Sequence, residues 1–385
     1  MRFADEFRDP DRAQGVLKRI AELVDAIGAT RERPLHVMEI CGGHTHAIFR
    51  YGLDKLTPAG LEFVHGPGCP VCVLPMRRVD DAVDIAERPG VIFCTFGDAM
   101  RVPGTRKSLI QAKADGADVR MVYSPLDASE IARRNPDREV VFFGLGFETT
   151  MPSTALTVLQ AAEEDIPNFS LFCNHITVPP PVKALLDDPD MVLDGFVGPG
   201  HVSMVIGTRP YDFIARDYGK PLVVAGFEPL DLLQAVYMVL QQIADGRAEI
   251  ENQYARVVPA DGNPVSLAAI DRVFEPRESF EWRGLGEIDR SGVKVRAEFA
   301  AFDAERKYGI GYGAGEAVAE PDGCRCGDVL KGLIKPWDCP MFGTSCTPET
   351  PLGALMVSTE GACAAYHQYA RVRATAESAA KRAAS

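Results

Sequence analysis

Six short apolar runs in this chain end in a glycine turn, and they constrain its fold more than any other feature. They are LHVMEI before Cys-Gly-Gly (35–40), LEFVHGPGC (61–69), GVIFCTFGD (90–98), EVVFFGLGF (139–147), LDGFVGPGH (193–201) and PLVVAGFEP (221–229). Runs this short and continuously apolar read as strands buried on both faces. Helical stretches at 76–87, 125–134, 152–164 and 230–246 fall between them. Strand and helix in alternation predict parallel βαβ units, an α/β fold. An amphipathic helix precedes them, with Asp9 as cap, Pro10 in the first turn, and Val16, Ile20, Leu23, Val24 and Ile27 on one face.

A weak repeat sharpens the expected organisation. VIFCTFGDAMRVP (91–103) aligns with VVFFGLGFETTMP (140–152), and GPGC at 66–69 echoes GPGH at 198–201. The repeat predicts two similar parallel-sheet α/β lobes. The first spans 1–120 with the N-terminal helix, Cys41 and the Cys69/Cys72 pair, and the second spans 121–235. The competing reading is that glycine after a strand is generic to βα loops. In open α/β sheets ligands bind at the strands' C-terminal ends, where these glycines lie. Residues 250–320 are more charged and turn-rich, with VKVRAEFAAF expected as a strand. A smaller C-terminal domain, 236–385, is expected to close on a helix from about 362 to 383.

The chain has 385 residues, 46% hydrophobic and 25% charged, which is ordinary for globular domains. A net charge of −13 argues against a nucleic-acid or anionic-membrane surface. MRFADEFRDPDR, at the start, lacks the apolar core of a signal peptide, and no apolar stretch reaches the roughly 18 residues of a spanning helix. A cytoplasmic protein is expected, with neither nucleic acid nor membrane as partner.

Ten cysteines are more than packing requires. In a reducing compartment the surplus points to metal or redox chemistry. Five of them, Cys324, Cys326, Cys339, Cys346 and Cys363, crowd one glycine- and proline-rich stretch. Their spacings lack the tight pairs of zinc knuckles, so a [4Fe–4S] cluster fits better than zinc or an unligated core. Five thiols for four corners leave open whether Cys324 or Cys326 ligates. Cys69 and Cys72 form a C-x-x-C, which suits a dithiol–disulfide pair, with half of a metal site as the alternative. CGGHTH (41–46) stays open between a core thiol, part of a Cys/His metal site and a reactive thiolate. If 36–40, 61–65 and 91–95 are neighbouring strands, Cys41 and the Cys69/Cys72 pair emerge from one sheet edge. Asp98, Glu148, His175, His201 and Glu228 lie on equivalent loops. Cys94 and Cys173 are expected in the core, and His46 is expected to be structural.

CGGHTH, GPGCPVC, GFETT, FCNH, GPGH and the terminal C-x-C … PxxCPxFGxxCTPxxPxGxxMVSxEGAC pattern together resemble the hydrogenase maturation factor HypD family, over residues 35 to about 370. The resemblance implies a scaffold on which the Fe(CN)2CO unit of [NiFe]-hydrogenase is assembled. A HypC-type chaperone would share the task, HypE would deliver cyanide transiently, and the chain would be a monomer when alone. It implies that Cys41 holds iron and His44 supports or ligates it. Cys69 and Cys72 would be the redox pair beside the iron. Cys339, Cys346 and Cys363, with Cys324 or Cys326, would hold the cluster. Cys41, Cys69 and Cys72 are thus the candidate metal-site thiols. The alternatives are a cluster-linked disulfide reductase, which has no use for Cys41, and a structural zinc protein.

Overall fold

The computed structural model describes residues 5–311, 318 and 320–369. Nine strands build its two main sheets: β1 (Leu35–Glu39), β2 (Leu61–His65), β3 (Val91–Thr95), β4 (Val119–Met121), β5 (Glu139–Gly146), β6 (Phe169–His175), β7 (Gly195–Pro199), β8 (Leu222–Ala225) and β9 (Ile250–Asn252). One sheet has the order β2-β1-β7-β8-β9 and the other β4-β3-β5-β6, with every pair parallel. The α/β expectation holds.

The chain forms two compact units, each entered more than once. The first holds the described residues up to Cys69, Lys183–Gly262, and those from Asp322 onward; the second holds Pro70–Val182 and the described residues of Asn263–Pro321. These are not the contiguous segments expected from the sequence, 1–120 and 121–235 from the repeat and 236–385 as a C-terminal domain. The repeat instead relates strands within a sheet. The aligned runs 91–103 and 140–152 begin in the paired strands β3 and β5. GPGC and GPGH stand at the ends of β2 and β7, which flank β1. For the same reason 91–95 is not a neighbour of 36–40, as it lies in the other sheet. The cysteine-rich stretch belongs to the first unit and forms no third one.

In the first unit α1 (Pro10–Ile27) starts as its sequence predicts. The Asp9 side chain accepts from the N–H groups of Asp11 and Arg12, Pro10 opens the helix, and Gly28 ends it at φ 78°. Its buried Ile20 and Val24 join Val37, Ile48, Phe63, Val197, Val223 and Leu233 in one core. In the second unit Cys94 and Cys173 are buried with Phe142, Val158 and Phe169, so the expected core placement of both thiols holds. Residues 293–295 form the expected strand, paired antiparallel with Phe274–Pro276, but a 3-10 turn takes over at Ala297. The terminal helix is seen from 362 to 369, and the rest of the expected 362–383 lies outside the described residues.

Candidate metal and thiol site

Cys41 follows β1 and occupies the N-cap position of α2 (Gly42–Tyr51), in extended conformation. Its sulfur faces the Gly43 and His44 N–H groups without a hydrogen bond of capping geometry. The Glu39 carboxylate holds the turn from the strand side, accepting from the Cys41 N–H at 2.9 Å and from the Thr45 hydroxyl. Glu39 is fully buried, and a third donor, His65 Nδ1, reaches it at 2.8 Å. Glu39 and His65 are register partners at the ends of β1 and β2. A glutamate ending an otherwise apolar parallel strand was the available signal for this network; reading the run as uniformly apolar hid it.

Two other cysteine-bearing segments close on the Cys41 turn. The Gly42 N–H donates to Gly68 O at 2.9 Å, and a Cβ on Gly68 would lie 2.3 Å from the Cys41 nitrogen. Only glycine permits this approach of the GPGC loop. On the other side a Cβ on Gly42 would lie 2.5 Å from Cβ of Glu360, in the EGAC segment that carries Cys363. Cys69 and Cys72 are buried and joined by a disulfide, so in this state neither sulfur is free to ligate a metal.

His44 is fully buried against Phe227, which also stacks on the ring of His201 at 3.8 Å and meets Tyr254 edge-on. His44 Nε2 lies 3.1 Å from Gly226 O and 3.3 Å from Ala225 O. Two carbonyl acceptors fix the proton on Nε2. Nδ1 is left with its lone pair and no hydrogen-bond partner in its buried position. Burial pushes the His44 imidazole down to about 4, so it stays neutral and able to ligate. Burial, then Glu360 and Glu39, push the Cys41 thiol up to about 12, against the pull of the Gly43 and His44 N–H groups. Without a cation the group is a thiol, and a metal bound there would turn it into a thiolate.

The other loop residues sort differently. His201 belongs to the His44–Phe227 stack, and Glu228 accepts from Arg8 Nη2 at 2.7 Å. His175 is buried in its own unit beside Thr154 and Gly146 O, and the buried Glu148 carboxylate accepts from the Val178 N–H. Asp98 precedes the 3-10 turn Ala99–Arg101. His46 packs edge-on against Tyr369, in keeping with a structural role.

The five C-terminal cysteines line one small cavity with Met341, Phe342 and Met356. Cys326, Cys346 and Cys363 are buried, while Cys324 and Cys339 are half-buried. Cys324 Sγ and Cys326 Sγ lie 3.4 Å apart, and a Cβ on Gly353 would lie 2.4 Å from the latter and 2.8 Å from the former. The cradle therefore has a glycine floor kept clear for sulfur. Soft thiolates around an apolar cavity fit an iron–sulfur cube. Among the described residues no three His, Cys, Asp or Glu side chains converge as a single-ion site does. The stretch also covers the exposed edge of β2, where Lys335 Nζ donates to Phe63 O at 3.1 Å.

Among the described residues no helix is long and apolar enough to cross a membrane. The family model described as "Hydrogenase formation hypA family" (HypD) matches residues 12–370. The hydrogenase maturation factor HypD of Rhodobacter capsulatus is 72% identical over 375 residues, covering 97% of this chain and 100% of its own length. Its namesake in Escherichia coli K12 is 57% identical over 369 residues, covering 96% of this chain and 98% of its own length. With matches of this identity along nearly its whole length, the chain belongs to the HypD family of hydrogenase maturation factors.

Proposed function

We propose that this chain holds the iron destined for a [NiFe]-hydrogenase while its diatomic ligands are attached, with Cys41 as the iron-bearing thiolate. The observation that carries the reading is the Cys41 turn, clasped between the GPGC loop and the segment bearing Cys363, with the lone pair of His44 Nδ1 left unused. A thiolate and an imidazole suit low-spin iron(II) with cyanide and CO. A second thiolate from a HypC-type chaperone would complete the hold and keep the cargo releasable.

Cyanide from a thiocyanate-like donor on HypE needs two electrons. The donor S–C bond breaks, cyanide bonds to iron, and the donor sulfur leaves as a thiol. The Cys69/Cys72 dithiol supplies two electrons and two protons and becomes the disulfide; one proton goes to the donor sulfur and one to solvent. Cys339, Cys346 and Cys363, with Cys324 or Cys326, would hold a [4Fe–4S] cluster. When bound, that group supplies the one-electron chemistry that returns the disulfide to the dithiol. Glu39 and the α2 backbone keep the Cys41 turn in place throughout. A plain disulfide reductase has no need of the Cys41–His44 pair.

Mössbauer spectroscopy of 57Fe-labelled protein, purified anaerobically after co-expression with its maturation partners, tests this reading. Wild type should show cluster iron and a separate low-spin ferrous component. Cys41→Ala should lose only the second, and Cys346→Ser should lose the first. A low-spin component that survives in Cys41→Ala refutes the reading.

A further inference from the structure

We infer that His65 and Glu39 are positioning residues for the Cys41 thiolate, holding its turn through the Cys41 N–H and the Thr45 hydroxyl. The inference rests on the reading that Cys41 carries iron. Helix N-caps are ordinarily Ser, Thr, Asp or Asn, whose side-chain oxygen satisfies the helix's first N–H groups. Here a cysteine holds that position without a side-chain hydrogen bond of capping geometry, and the carboxylate two residues upstream fixes the turn instead, through the Cys41 N–H and the Thr45 hydroxyl.

A buried carboxylate needs its own fixed donor, and His65 Nδ1 is that donor. The His65 ring is held in turn by Phe49 of α2, at 5.0 Å between centroids, and edge-on by Tyr366, at 5.7 Å. Tyr366 stands three residues beyond Cys363 and packs on Trp337, two residues before Cys339. The apparatus that orients Cys41 therefore rests its outer side on the cysteine-rich segment. Outer partners that orient a metal ligand typically govern metal affinity by about 10–100-fold.

The test is the 57Fe measurement on the co-expressed full chain, with cluster iron as the internal control. His65→Phe keeps a ring but removes the donor, while His65→Asn places an amide nitrogen near the position of Nδ1. The inference expects His65→Phe to lose low-spin iron by about tenfold or more with cluster iron unchanged. It expects His65→Asn to stay within about twofold of wild type. Glu39→Met removes the acceptor without leaving a buried charge; it should behave like His65→Phe and serves where that variant fails to fold. Wild-type iron in His65→Phe or Glu39→Met overturns the inference, as does a loss in His65→Asn as deep as in His65→Phe. Low-spin iron that is absent from wild type, or retained in Cys41→Ala, overturns the iron reading and this inference with it. A failure confined to the His65 and Glu39 variants overturns this inference alone.

Discussion

Gly68→Ala tests whether the GPGC loop must touch the Cys41 turn. The added methyl would sit 2.3 Å from the Cys41 nitrogen and 2.5 Å from its Cα. Ordinary contact between such atoms is about 3.5–4.0 Å, so one loop must retreat by about 1 Å. The obstructing atoms are backbone, which cannot swing away as a flexible side chain does. Overpacking of this kind costs about 1–3 kcal/mol. In a unit of about 200 residues each kcal/mol moves the melting temperature by roughly 2–4 °C. Differential scanning calorimetry should therefore show a fall of roughly 2–12 °C. Cys41, buried in wild type, should react faster with iodoacetamide as the loop lifts. Gly15 in α1 is the control, since a Cβ there meets nothing within 4 Å. Gly15→Ala should stabilise by about 0.5–1 kcal/mol, as helix propensity dictates. A Gly68→Ala protein that melts with wild type and protects Cys41 equally would falsify the claimed contact.

Gly353→Ala should push the Cys324 and Cys326 sulfurs from the cradle and lower iron and sulfide bound per chain after anaerobic reconstitution, with the melting temperature of the apo chain little changed. Burial pushes the His175 imidazole down to about 4 from an ordinary 6.5. Between those values the unfolded chain binds the extra proton, so this group's contribution to stability is full above pH 6.5 and lost as pH falls toward 4. Glu148, pushed up to about 7 by burial, acts oppositely: its contribution is full below pH 4.5 and lost as pH rises toward 7. The difference between wild type and His175→Gln in urea titrations should therefore shrink as pH drops from 6.5 to 4; a difference that stays flat contradicts the assignment. Cys41, whose thiol burial pushes up to about 12, should alkylate slowly at pH 8 in the metal-free chain and release about one proton when a thiophilic cation binds, seen by a pH-indicator dye.

Local signals in this chain are strong where one physical cause acts alone. Asp9, Pro10 and Gly28 set the limits of α1, and apolar runs closed by glycine mark β1, β2, β3, β5, β7 and β8. The grouping of strands into sheets was not legible. Similar runs at 91 and 140 pair with each other because both are fully buried β-formers, and similarity says nothing about which sheet a strand joins. That the five C-terminal cysteines gather in one place was legible from their crowding into one loop-rich stretch, and they line one cavity. Glu39 and His65 were not legible, since their meaning depends on the register of β1 and β2 and on the segment around Tyr366, which arrives some 300 residues later. Gly68 and Gly353 look like ordinary turn glycines until a backbone or a sulfur is found in the space a Cβ would take.

The central claim is that Cys41 carries a cyanide- and CO-bearing iron distinct from the cluster. Infrared spectroscopy of the anaerobically purified, co-expressed protein tests it most directly. Wild type should show cyanide and CO stretching bands; Cys94→Ala, altered only in the core of the other unit, should keep them, and Cys41→Ala should lose them with its cluster intact. Bands of equal intensity in Cys41→Ala, or none in wild type, contradict the account.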